Sequence, residues 1–439
     1  MKTWNPNSLF RLAFLTFAAL AASFGLASVA FSAPTTPLSW DEVVRLAIRQ
    51  NSEYQGARAT VEQNDALIRS AWGNFLPTVN VNLETSRLDN DPGSTVNGAQ
   101  SLTGVRENNV ARLTYSQNLF NGFADKARVD QAKQNRAAAQ AALDVVKASL
   151  SASLKSSFQS LLVAQRNVEL ASDIIARRKR NYELVSIRFD GGRENKGSVL
   201  LSKANWDQAE LEKLQALNAV EAQRLRLARA IGRDDLGDFK IDGKVPVELP
   251  PGAVDIQALA MDAPELRQAM AQERAAQFAI KVAKENYLPS LDLSASIGRT
   301  GADWFPEAEQ RSITLGLSFP IFNGGRDYYG AKAASAVATV ASRARETALR
   351  NKIVSLREAY NAYVEAVQKE KIDQTFAEAA RVRSEIGRSK YNTGLLSFEE
   401  WDIIENDLIA REKAALTSQN NRVSAEATWE QSQGRGVIP

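Results

Sequence analysis

Residues 123–190 contain neither glycine nor proline. That 68-residue run is several times longer than a typical globular helix of about 11–12 residues. As one helix, at about 1.5 Å per residue, it would be about 100 Å long. No compact domain built from this chain can enclose such a rod. One apolar stripe in it runs through Leu143, Val146, Leu150, Leu154, Phe158, Leu161, Ala164, Val168, Ala171, Ile175, Tyr182, Val185 and Phe189. With Arg178 as the one interruption, they recur about every 3.5 residues, the coiled-coil period. A fibrous coiled coil and a larger helical assembly both fit this stretch, so the rest of the chain has to decide.

The front of the chain is a separate object. Lys2 and Arg11 are the only charges ahead of a small-residue-rich apolar run at 12–31, which then meets Pro34. This pattern predicts a secretory signal peptide over residues 1–30. Ser28-Val29-Ala30 fits the small-x-small rule and places cleavage after Ala30, with the cut as late as residue 33 as the alternative. The run is also long enough to span a bilayer, so an uncleaved anchor is the competing reading. The chain has no other apolar run of that length, so a mature membrane protein of this sequence would have to enter the bilayer as strands.

Composition excludes several chemistries. There is no His and no Cys, which removes zinc fingers, thiol nucleophiles and Ser-His-Asp sites together. No metal, cofactor or catalytic set is expected, and no Gly-rich phosphate loop is present. The net charge of +3 is too balanced to suggest nucleic acid as a partner.

The chain repeats itself. Phe75-Leu76-Pro77 matches Tyr287-Leu288-Pro289, Phe120-Asn121-Gly122 matches Phe322-Asn323-Gly324, and Phe189-Asp190-Gly191-Gly192 matches Tyr391-Asn392-Thr393-Gly394. The order is the same in both halves. A single length change, in the polar stretch around 90–101, reconciles the offsets. Each half predicts a helix (40–74; 255–286), a strand pair (77–88 with 109–120; 289–299 with 312–322), a very long helix (123–190; 326–390) and a returning helix (198–231; 395–431). The expected domains are therefore a first repeat at 40–232, a linker at 233–254 with one small strand, a second repeat at 255–434 and a tail at 435–439. Leu291, Leu293, Ala295 and Ile297 alternate with Asp292, Ser294 and Ser296. Strands of about ten residues with one apolar face suit a tilted transmembrane strand.

Four strands cannot close a barrel, and open edges are not tolerated in lipid. Two chains would give eight strands around a filled interior, and three would give twelve around a lumen. The polar strand faces favour three.

The doubled unit, the Leu-Pro helix stops, the Phe-Asn-Gly turns and the Tyr-x-x-Gly tip resemble the TolC family of outer-membrane channel proteins. The resemblance covers the whole mature chain. It implies a homotrimer with a shared 12-stranded β-barrel and a periplasmic α-helical barrel of long coiled-coil helices. It implies export of small molecules or proteins, in drug efflux or type I secretion. The partners it implies are a periplasmic membrane-fusion adaptor, an RND or ABC inner-membrane transporter and outer-membrane lipid. It also implies that the helix tips gate the pore. Tyr391 and Gly394 match the family's second-half tip, and Glu400 matches its first acidic position. Ile403 stands at the second acidic position, with Asp402 as a substitute one residue earlier. Leu396 stands where the family has an arginine, and Ser198 where it has an acidic partner, so Tyr391 with Ser198 is the candidate closing pair. Gly192, Arg193, Gly394, Leu395 and Leu396, with Lys196 and Phe398, are the expected tip-turn and adaptor-contact residues. Glu399, Glu400 and Asp402 equally suit a helix start capped by Ser397. The rival to a channel is a secreted coiled-coil stalk, which leaves the paired strands unexplained.

Overall fold

The computed structural model describes residues 37–90, 95–96, 99–100, 104–234 and 241–439. The expected signal peptide lies outside these residues, as does part of the 90–101 loop. The first repeat holds α1 (Trp40–Gln50), α2 (Ser52–Trp72), β1 (Thr78–Asn90), β2 (Gly104–Asn121), α3 (Ala124–Asp190) and α4 (Lys196–Ile231). The second holds α5 (Ile256–Asp262), α6 (Pro264–Ala283), β3 (Ser290–Gly301), β4 (Ala308–Ser318), α7 (Arg326–Asn392) and α8 (Phe398–Ser432). A small ribbon, Thr95–Val96 with Ala99–Gln100, sits in the loop between β1 and β2.

The two long helices are 67 residues each, or about 100 Å. Gly330 and Gly387 do not break α7. Gly387 lets α8 come close, since a Cβ there would lie 3.2 Å from the Ile404 side chain. The helices expected at 40–74 and 255–286 are each divided in two. Asn51 has extended backbone and accepts the Tyr54 N–H at 2.9 Å, capping α2. Its Nδ2 also donates to the Ala230 carbonyl at 3.0 Å, so α4 ends where α2 begins. In the second repeat Ala263 is extended and Pro264 opens α6, a position where its missing N–H costs nothing. Gly434, past the end of α8, lies so near Pro264 that a Cβ would be 2.3 Å from its ring. Thus α4 stacks end-on below α2, and α8 below α6.

These stacked pairs and the long helices lie side by side. α2 and α4 pack along one flank of α3, and α6 and α8 pack along the other. α6 and α8 in turn pack against α7. The layer is four rows wide, with α2/α4 at one edge and α7 at the other. Both edges expose apolar side chains, including Leu211, Leu214 and Leu217 on α4 and Val340, Ile372 and Phe376 on α7. The core of the layer is the α3 stripe: Leu154, Phe158 and Leu161 are fully buried, each worth about 1.5–3 kcal/mol of apolar burial. Trp40 meets Phe158 edge-on at 5.4 Å.

The linker ties the repeats together. Leu38 and Ile241 make one parallel bridge, which is all of the small strand expected there among the described residues. Farther on, a single residue of the linker is held by several side chains. The Glu248 N–H donates to Glu426 Oε1 at 2.7 Å, and its carbonyl accepts the Tyr363 hydroxyl and Arg422 Nη2. Lys155 from α3 completes the cluster, with Nζ 3.0 Å from Glu426 and 2.7 Å from Glu430.

The four main strands form one antiparallel sheet in the order β1-β2-β3-β4. β2 is longer than the sequence predicts, and β4 stops at Ser318 rather than running to 322. Pro320 lies just beyond and has no N–H to continue the ladder. Register places like with like across all four strands. Val79, Tyr115, Ala295 and Ile313 form one row, and Thr78, Ser116, Ser294 and Thr314 form the adjoining row on the opposite face. The apolar face is open: Val81 is 70% exposed, Ile313 82% and Leu317 73%.

Candidate functional site at the helix tips

Both long helices end in the same turn. Arg193 N–H bonds back to the Arg188 carbonyl and Leu395 N–H to the Lys390 carbonyl, each at 2.8 Å. Gly192 and Gly394 sit at φ +70° and +80°, where a side chain would be strained. Asn195 then caps α4 by accepting the Ser198 N–H at 2.9 Å. Ser397 caps α8 in a reciprocal box with Glu400.

Tyr391 is the centre of the tip. It is 1% exposed and stacks on Trp401 at 4.4 Å and 15°. Phe398 and Val185 close the cluster. The Arg188 guanidinium lies 4.5 Å above the Tyr391 ring and donates to the Tyr391 carbonyl. The hydroxyl donates to Glu194 Oε2 at 3.0 Å. Burial first, then that carboxylate, pushes the Tyr391 hydroxyl far above its ordinary pKa, so it stays a donor. Ser198, buried, donates its own hydroxyl to Glu194 Oε1 at 3.0 Å. Tyr391 and Ser198 are thus brought together, with Glu194 as the bridge between them. Glu194 was not singled out from the sequence. Counting forward from Gly192 lands on Ser198, whereas the carboxylate stands four residues earlier, the only acidic residue of the 191–197 turn.

Glu400 and Asp402 go different ways. Glu400 is exposed, and its Oε2 accepts the Ser397 N–H and hydroxyl at 3.0 Å each. These bonds hold its carboxyl below the ordinary range. Asp402 turns inward. It accepts Arg178 Nη1 at 3.1 Å, Asn205 Nδ2 at 3.0 Å and Asn406 Nδ2 at 2.9 Å. Arg178, the break in the α3 stripe, is therefore a buried cation with a carboxylate partner from α8. Beside it Glu405, 1% exposed, accepts from Asn181 and Ser384. This polar layer joins α3, α4, α7 and α8 about 10 Å along the helices from Tyr391.

The apex itself is open. Gly192, Arg193, Lys196, Gly394 and Leu395 are exposed and Leu396 is half-buried. Phe398, expected to be exposed, is 4% exposed because it packs against Tyr391. Among the described residues no group of acidic side chains could hold a metal ion.

A family model for outer membrane efflux proteins matches residues 43–233 and again residues 256–435. The chain belongs to the outer membrane efflux protein family. The two matched stretches coincide with the two structural repeats, and the TolC-like resemblance carried by the sequence holds. Protein CyaE of Bordetella pertussis is 24% identical over 318 residues, covering 68% of this chain and 65% of CyaE. The alkaline protease secretion protein AprF of Pseudomonas aeruginosa is 22% identical, covering 61% of this chain and 56% of AprF. The alignments thus span less than two thirds of the length of these curated relatives. The crystal structure of the outer membrane protein VceC from Vibrio cholerae superposes with a TM-score of 0.80 at 18% identity, covering 90% of this chain and 96% of VceC. At that identity the likeness speaks for the fold.

Proposed function

We propose that three copies of this chain form an outer-membrane channel. It carries small molecules or proteins from a periplasmic adaptor and an RND or ABC inner-membrane transporter to the cell exterior. The observation that carries this reading is the sheet. It has two open edges, one face that is apolar over its central rows and one polar face, in register across four strands. Three copies close twelve strands around a wet lumen. The helical layer below has two open apolar edges of its own, so the same rotation closes both layers.

The border of the apolar face supports a tilted, membrane-spanning sheet. Toward the β1–β2 and β3–β4 loops, the continuous apolar run on that face ends at Leu83 on β1, Ala111 on β2, Ile297 on β3 and Ile313 on β4. From Leu83 to Ile313 the border drops by four residues, about 13–14 Å, across three strand spacings of about 4.8 Å each. That slope is about 45°, at the upper end of the tilt of transmembrane strands.

The repeats at 40–232 and 255–434 then each supply a hairpin and a coiled-coil pair, with 233–254 as the girdle between them. Tyr391, Glu194 and Ser198 latch the periplasmic tip, and Arg178 braces α8 through Asp402. Glu400 lines the constriction, where three carboxylates around one axis would favour cations. Arg193, Lys196, Leu395 and Leu396, on turns shaped by Gly192 and Gly394, meet the adaptor.

The test is planar-bilayer recording of the purified mature protein. Discrete conductance steps are expected, with a cation preference that falls in Glu400→Gln. An unchanged reversal potential in that variant would remove Glu400 from the pore. Silence from both the wild type and a latch variant would count against the channel.

A further inference from the structure

The two ends of the apolar face differ. At the helix end it finishes in uncharged side chains, with Phe319, Phe322, Tyr328 and Tyr329 all exposed around it. At the loop end it finishes in a charged collar. Above the apolar border the same face carries Arg87, Glu107, Arg299, Glu309 and Arg311. Each of these lies at the odd register positions that share the apolar face, so strand alternation points them outward rather than into the lumen. Just above them, Trp304 and Phe305 are 75% and 83% exposed in the β3–β4 turn.

Two features of the collar select a ligand. First, the cations are all arginine. None of the four strands contains a lysine. A guanidinium presents a planar fork that binds phosphate through two parallel hydrogen bonds, which an ammonium cannot do. Second, the arginines are incompletely engaged, although the face carries as many acidic positions (Asp89, Glu107, Glu309) as basic ones. Arg87 pairs with Glu107 at 3.6 Å and Arg311 with Glu309 at 2.8 Å, with both arginines still more than 60% exposed. Arg299 stands opposite Glu309 in register and makes no ion pair among the described residues. Each chain thus offers a free guanidinium, Arg299, with the half-engaged Arg311 on the neighbouring strand and the half-engaged Arg87 two strands away. Charged side chains on a lipid-facing strand are costly at the bilayer centre and nearly free at its surface, which places the collar at headgroup level.

We propose that this collar binds the phosphate groups of phosphorylated lipids in the outer leaflet, with Arg299 and Arg311 as the principal contacts. The proposal rests on the membrane-spanning reading of the sheet given above. The acyl chains would lie along the Ile297 and Ile313 rows below, and Trp304 would sit at the headgroup boundary, where indole rings are favoured.

Native mass spectrometry and thermal shift of the detergent-solubilised full-length protein test it. The probes are a bis-phosphorylated lipid A, the same glycolipid with its phosphates removed, and inorganic phosphate. The bis-phosphorylated form is expected to bind at least tenfold more tightly than the dephosphorylated form and to raise the melting temperature. Arg299→Gln with Arg311→Gln should remove at least fivefold of that binding, and Arg299→Lys with Arg311→Lys should recover only part of it. Conductance in phosphate-free lipid should be the same in all variants. Equal binding of both glycolipids, or binding unaffected by the glutamine pair, would overturn the proposal while leaving the channel standing. A full melting shift from inorganic phosphate alone would overturn the lipid as the ligand. A wild-type protein that stays soluble without detergent would overturn the membrane reading and this proposal together.

Discussion

Removing the Tyr391 hydroxyl separates the latch from the packing around it. Tyr391→Phe keeps the ring stacked on Trp401 and deletes the bond to Glu194. A hydrogen bond to a charged group contributes about 1.5–3 kcal/mol, so the ratio of open to closed time should rise about tenfold or more. Bilayer recordings at fixed voltage check this, and an unchanged ratio would remove Glu194 from the latch. The two roles available to Glu400 also separate. Glutamine at the third helical position still serves a capping box, so Glu400→Gln should alter selectivity with little loss of stability. Ser397→Ala should do the reverse, costing about 1 kcal/mol of stability by loss of the cap, read as a lower melting temperature with an unchanged reversal potential. At this scale the sequence was partly legible. Tyr391 and Ser198 followed from the family resemblance, and the Ser397 cap from the acidic residues after it. Glu194 followed from neither, because its partner lies 197 residues away, and Arg178 looked like a flaw until Asp402 was placed beside it.

The elements were legible for a different reason. Apolar periods of about 3.5 and 2 extend over many residues, so the long helices and the four strands announce themselves. The break at Asn51 is a single-residue event inside helical composition, set where α4 ends, whereas Pro264 marks the break at Ala263 in the sequence itself. The girdle cluster that joins the elements was invisible, since Lys155 and Glu426 are 271 residues apart. Lys155→Met would leave Glu426 buried without its cation and should cost about 3–5 kcal/mol, read as a large fall in melting temperature. Burial holds the Glu426 carboxyl above its ordinary value of 4.5, against the pull of the Glu248 N–H and Lys155. The folded state therefore takes up a proton at a higher pH than the unfolded chain. Its stability should rise as pH falls toward that ordinary value, and be lost as pH rises through the folded one. A comparison of melting temperatures from about pH 7 to about pH 5 should show this gain relative to Glu426→Gln, whose glutamine does not titrate. Parallel curves would contradict it.

The whole molecule is incomplete as a single chain. Its sheet ends at β1 and β4, and its helical layer ends at α2/α4 and α7, with apolar side chains open at both helical edges. That much followed from counting strands, while the coincidence of the two sets of edges needed the structure. Because the chain contains no cysteine, one engineered pair can test closure without background. A cysteine at Val81 on β1, combined in turn with one at each β4 position, can form a disulfide only where the two strands lie side by side. Within one chain β2 and β3 separate them. Oxidation in the membrane should give covalent dimers and trimers at one or two neighbouring registers, and nothing larger. Monomers at every register, or an unbroken ladder beyond the trimer, would contradict a three-chain barrel.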